Sequence, residues 1–215
     1  MAAKDTAFEP AVKRNLIAGA VMGVTDESGD ARIFATKLAT EFENRGGEIR
    51  TNCRVTDFIS QNGYVQGVTT EQGDISADRV VLSSGVASKA LAKKIGITIP
   101  VLPIKGYSVT VPIIDESRVP ISSCTDLKHR LVISRLGMRL RVAGFAEIGS
   151  DKACDAGRAA AARDRLEALF PDAADYQSFD NWMGFRPMTP DGAPIIGEAE
   201  TLRNLWFNSG HGTLG

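Results

Sequence analysis

Apolar residues recur at Ile33, Phe34, Leu38 and Phe42 within SGDARIFATKLATEFENRGG, the spacing that lines one face of a helix. Asp30 before them supplies a cap and Gly46-Gly47 after them a stop, so the pattern predicts a helix between these signals. The next stretch, EIRTNCRVTDFISQNGYVQGVTTEQGDISADRVVLSSG, changes to a period of two and breaks at QNG and EQGD, both turn signals. It predicts a three-stranded meander feeding a further strand, RVVLSSG, whose apolar run reads as buried. VASKALAKKIG follows as a helix. Strand, glycine-containing turn and helix make a junction where free backbone N–H groups gather, a place suited to a ligand.

From Pro100 the pattern lengthens into VLPIKGYSVTVPI and HRLVISRLGMRLRVAGFAEI, with a turn near Leu136-Gly137, which predicts a second, antiparallel sheet. AGRAAAARDRLEALF is a strong helix former with Leu166, Leu169 and Phe170 on one side, and Pro171 ends it. The chain returns through Trp182 to WMGFRPMTPDGAPIIG, makes a short strand at NLWFNS and reaches GHGTLG. No repeat or low-complexity segment interrupts it. The fold class expected is α+β: an α/β portion joined to an antiparallel-sheet portion.

Composition narrows the chemistry. Lys and Arg number 25 against 26 Asp and Glu, a net charge of -1, so no overall field points to nucleic acid. No apolar run approaches the ~20 residues a membrane span requires, and no secretory leader pattern opens the chain. The three cysteines, Cys53, Cys124 and Cys154, are odd in number and far apart, which reads as free thiols in a reducing compartment. With two histidines and no Cys-x-x-Cys pair, no metal site is expected. Lys128, Arg130, Arg135, Arg139 and Arg141 have no acid among them. They read as a solvated hairpin or, alternatively, as a contact with an anionic membrane surface or a partner subunit.

GHGTLG satisfies G-x-G-x-x-G at Gly210, Gly212 and Gly215. A dinucleotide fingerprint also needs a helix opening at the third glycine and an acid ~20 residues on. Alone, the match means a glycine turn closing a strand. In combination it means more. KGYS at 105–108, RLGMRLRVAGFAEI at 135–148, WMGFRPMTPDGAPIIG at 182–197 and NLWFNSGHGTLG at 204–215 resemble, in this order and spacing, the small-subunit family of FAD-dependent D-amino acid dehydrogenases, among the D-amino acid oxidase-like flavoproteins. The resemblance extends to EPAV at 9–12, DESGDARIFATKLA at 26–39 and DRVVLSSGVAS at 78–88, nearly the whole chain.

The resemblance implies a partial two-domain flavoprotein. FAD-binding segments are expected at 30–99 and 185–215 and substrate-domain segments at 1–29 and 100–184. The family's own dinucleotide motif corresponds to a position upstream of this sequence, so the chain alone is expected to hold little FAD. The implied reaction is oxidative deamination of a D-amino acid, with electrons passing to a quinone or another respiratory-chain component. A cytoplasmic location follows, or a peripheral one at the inner face of the cytoplasmic membrane. A related amine or proline-type flavin dehydrogenase, a non-catalytic FAD-fold subunit and an inactive truncated product remain as alternatives.

For individual residues, the resemblance places the loop Gly210, His211, Gly212, Thr213, Leu214 and Gly215 beside the flavin, where backbone N–H dipoles meet developing negative charge. His211 reads equally as a flavin contact or as a histidine satisfied by local backbone. Val55 matches a backbone contact on the adenine side. Ser84 and Gly85 end a strand where a cofactor crevice is expected. Arg186, in the context G-x-R-P-x-T-x-D-G-x-P, matches the arginine that grips the substrate carboxylate, for which a guanidinium offers two parallel charge-assisted hydrogen bonds. Its bland alternative is a pair with Asp191 that ties the loop. Lys105 and Tyr107, two apart on a strand and so facing the same way, are expected pocket residues. Glycine oxidase relatives carry a second arginine near the position of Thr213, and its absence favours dehydrogenases.

Overall fold

The computed structural model describes residues 9–149 and 151–213, so Leu214 and Gly215 of the glycine loop lie outside the described residues. The described residues divide into two compact units: residues 9–45, 106–146 and 151–184 form one, and residues 46–105, 147–149 and 185–213 the other.

In the first unit, α1 (Ala31–Asn44) begins where the pattern predicts. Asp30 Oδ1 accepts the backbone N–H groups of Arg32 and Ile33 at 2.9 and 3.1 Å, satisfying two of the donors a helix start leaves free. Its apolar stripe is present but uncovered, with Ile33, Phe34, Leu38 and Phe42 each more than half exposed. The second helix of this unit, α3 (Ala156–Leu169), is capped by Asp155 through Gly157 N and Arg158 N. Leu166 and Phe170 are fully buried there against Val109, Val111, Leu140 and Val142. Truncating Leu166 to alanine would cost about 2–5 kcal/mol in lost transfer energy and cavity.

In the second unit, β1 (Val55–Gln61), β2 (Tyr64–Thr70) and β3 (Gly73–Ser76) form the antiparallel meander that the period-two pattern predicts. β4 (Val80–Leu82) leads through a short 3-10 turn into α2 (Ser88–Lys94). The five-stranded sheet is β6 (Cys124–Asp126), β7 (Leu131–Leu136), β8 (Arg139–Ile148), β5 (Leu102–Pro112) and β9 (Asp180–Met188), in that order. Of these, β6 and β7 lie in the first unit, and β5, β8 and β9 each have residues in both. A three-stranded sheet orders β10 (Ile195–Glu198), β11 (Leu205–Ser209) and β4, with β10 and β11 antiparallel and β11 and β4 parallel. Its core side holds Leu82, Leu205 and Phe207 with Phe58, Val65 and Ala92.

The architecture is α+β, as the pattern implies. One strand departs from expectation. β4 is not buried throughout, because it lies at the edge of its sheet among the described residues and Val81 is 59% exposed. Residues 30–45 fall in the first compact unit and residues 100–105 in the second.

Candidate functional site

Arg186 sits near the end of β9, half-buried. Its Nη1 donates to the main-chain carbonyl of Lys105 on β5 at 3.4 Å. The Lys105 side chain is 3% exposed, and its Nζ lies 3.6 Å from Glu147 Oε1 at the end of β8. Burying an ammonium is costly unless an opposite charge meets it, and Glu147 is that charge. Nothing in the spacing of the sequence singles out Glu147. It becomes visible only when β5 and β8 lie side by side. Asp191 does not tie down Arg186: among the described residues its Oδ1 accepts the Ala193 N–H at 3.2 Å, within its own turn.

The glycine loop meets the same strand. The N–H of Gly212 donates to the carbonyl of Pro187 at 3.0 Å. Gly210 and Gly212 hold φ of 80° and 68°, the left-handed region that glycine enters without penalty. A Cβ at Gly210 would stand 2.9 Å from Thr189 Cγ2, and one at Gly212 would stand 3.1 Å from Met188 Sδ. The loop therefore packs its backbone closely against Met188 at the end of the strand carrying Arg186 and against Thr189 after it, in a conformation that favours glycine. Because Pro187 takes the Gly212 N–H, Gly212 serves the loop's shape rather than donating outward. His211 is half-buried and Thr213 exposed.

Three more of the residues singled out in the sequence lie in this unit, at the ends of β1 and β4. Val55 and Ser84 line an open cleft of ≈ 650 Å³ together with Arg54, Leu82, Ala87 and Lys94. Gly85 follows at φ 58°, with nothing within 4 Å of where its Cβ would be. The carbonyl of Gly85 lies 3.2 Å from Ser209 Oγ, immediately before the glycine loop. Tyr107 belongs to the other unit. There its ring packs edge-on against Phe145 at 6.0 Å and beneath the Arg158 guanidinium at 5.9 Å.

The basic stretch proves partly paired. Arg135 bonds Glu116 and Arg139 lies 3.5 Å from Asp30, while Arg141 donates to Ser108 Oγ at 3.0 Å and lies 5.8 Å from the Trp182 ring centroid. No helix is long and apolar enough to cross a membrane, and no cluster of metal-binding side chains occurs among the described residues. The three cysteines are free in the structure.

Parallel strand ends with glycine turns and a cleft beside them have the form of a dinucleotide site, which lies outside the carboxyl ends of parallel strands. Comparison with known proteins agrees. The chain is 43% identical over 216 residues to a D-amino acid dehydrogenase of Paramagnetospirillum magneticum, covering 99% of this chain and 51% of that protein. A D-amino acid dehydrogenase of Vibrio vulnificus is 43% identical over 191 residues, or 88% of this chain and 46% of the relative. The chain thus spans about half the length of the curated relatives it matches. Among solved structures, a glycine oxidase from Geobacillus kaustophilus superposes with a TM-score of 0.81 at 26% identity, covering 96% of this chain and 55% of that one. An L-proline dehydrogenase from P. horikoshii superposes at 0.82 with 19% identity, over 96% of this chain and 57% of that one, a likeness of fold. The profile of the FAD dependent oxidoreductase family (DAO) matches residues 2–215, and the chain belongs to that family.

Proposed function

We propose that this chain forms the substrate-binding and part of the FAD-binding machinery of a D-amino acid dehydrogenase. The observation that carries the proposal is Arg186, a half-buried guanidinium on a strand that also holds the glycine loop through Pro187 and Gly212, in a chain 43% identical to D-amino acid dehydrogenases. A planar carboxylate matches the guanidinium fork with two charge-assisted bonds, which fixes the amino acid at its carboxylate end. The Lys105 carbonyl holds one arm of the fork, and the buried Lys105 ammonium is itself anchored near the Glu147 carboxylate. Restraint of this kind lowers the cost of orienting a bound substrate.

FAD, when bound, supplies the two-electron oxidation of the substrate Cα–N bond, chemistry that belongs to the cofactor. The residues suited to hold it are Val55 and Ser84 at the cleft, Gly85 next to it, and Gly210, His211 and Thr213 in the loop, which Gly212 shapes through its bond to Pro187. Electrons would leave to a quinone or another respiratory-chain component, a role suggested by the relatives' description as dehydrogenases. The reading is tested in the chain extended to the relatives' full length. Anaerobic D-alanine should bleach the protein's flavin absorbance while L-alanine leaves it, and a flavin bleached by neither, nor by any other D-amino acid, would refute it.

A further inference from the structure

Three serines meet where the parallel strands β4 and β11 end, and no part of the proposed chemistry has used two of them. Ser88 is wholly buried and Ser209 is 2% exposed. Ser209 Oγ lies 3.0 Å from Ser88 Oγ and 3.2 Å from the carbonyl oxygen of Gly85. Ser88 Oγ also accepts the N–H of Ser84 at 3.1 Å and lies 3.0 Å from Ser84 Oγ. A hydroxyl carries one proton and two acceptor sites. Ser88 Oγ accepts from Ser84 N–H and Ser209 O–H and gives its own proton to Ser84 Oγ, which fills its capacity. Ser209 divides its single proton between Ser88 and Gly85. The hub is therefore saturated, and removing it takes the shared partner from the Ser84 N–H and the buried Ser209 O–H at once.

Its position gives the network meaning. The ladder between β4 and β11 pairs Leu205 with Val80, Trp206 with Val81 and Phe207 with Leu82, and there β4 ends while β11 runs on to Ser209. Beyond the last pair, hydroxyls replace the ladder as the link between the two strand ends. On one side they hold the 84–88 turn. On the other, Ser209 leads straight into Gly210 and the glycine loop, whose far side is fixed by Gly212 N–H on Pro187. The two backbone segments proposed to contact FAD are thus joined by one buried bridge.

We infer that Ser88 and Ser209 are positioning residues, which set the spacing between the 84–88 turn and the 210–213 loop so that one dinucleotide meets both; this rests on the FAD reading above. Two segments held at a fixed spacing need no ordering when a ligand bridges them, so the bridge should act on affinity.

The test uses the chain extended to the relatives' full length, with the FAD dissociation constant read from flavin fluorescence and the melting temperature of the FAD-free protein measured beside it. Ser88→Ala and Ser209→Ala should each weaken FAD binding about tenfold, and the double variant by about the same factor rather than a hundredfold, because the two act as one unit. Ser209→Thr, which keeps the hydroxyl, should recover most of the affinity. A purely structural role predicts lower melting temperatures with unchanged affinity per folded molecule. That result, additive losses, or a threonine variant as weak as the alanine one would overturn the inference. A wild-type protein that binds no FAD is a different outcome, and it overturns the FAD reading itself.

Discussion

Arg186 Nη1 and the main-chain carbonyl of Lys105 are 3.4 Å apart, and the ammonium of that same lysine faces Glu147 at 3.6 Å. One strand residue thus holds the proposed carboxylate-binding guanidinium through its backbone and a buried charge through its side chain. Removing Glu147 alone leaves the ammonium without this partner in a nearly water-free position. Glu147→Gln should therefore lower stability more than Lys105→Met and Glu147→Gln together, because the double variant also removes the buried ammonium that Glu147 helps to balance. Urea unfolding of the two variants measures this, and a double variant at least as damaged as the single one would contradict it.

Asp126 provides a pH test in the first unit. Burial alone would raise its pKa, but Arg165 Nε at 2.6 Å and the His129 ring and backbone nitrogens at 2.9 and 3.1 Å outweigh burial and hold it below the ordinary value. A carboxylate with a lowered folded pKa adds stability above its unfolded pKa, about 3.9, and loses it as pH falls through the folded value. Asp126→Asn should lower the melting temperature at pH 7 and flatten its decline below about pH 4. A parallel decline in variant and wild type would show that Asp126 carries no acid sensitivity.

Thiol chemistry should separate the cysteines. Burial, reinforced by the nearby Glu9 carboxylate, pushes the Cys124 thiol up to about 11, while Cys154 is exposed. The thiolate is the reactive form, so native iodoacetamide labelling at pH 8 should modify Cys154 well before Cys124. Peptide mass spectrometry after a short pulse checks it, and equal labelling would contradict it.

Local signals read correctly where local physics decides. Asp30 marked the start of α1 because a side-chain cap acts over three residues, and the turn signals separated β1, β2 and β3 because each turn closes within a few positions. Arg186 stood out because its neighbours are glycines, prolines and methionine. Ser88 and Ser209 did not stand out, since 121 positions separate them and only the parallel pairing of β4 with β11 brings them together. Glu147 was hidden for the same reason. The apolar stripe of α1 was legible as a pattern, but a pattern does not say whether anything covers it, and in this structure it stands exposed.

The assignment of Arg186 is tested most directly by kcat/KM for D-alanine in the chain extended to the relatives' full length, with flavin occupancy measured on the same samples. Arg186→Met keeps the apolar stem but removes the cation, and should cost on the order of 2–5 kcal/mol of substrate interaction, with FAD occupancy near wild type. Arg186→Lys should recover only part, since a point charge cannot form the two-pronged bond. Asp191→Asn should cost little, because Asp191 bonds within its own turn. A methionine variant with near-normal kcat/KM, or an asparagine variant as damaged as it with flavin lost from both, would contradict a carboxylate-binding Arg186.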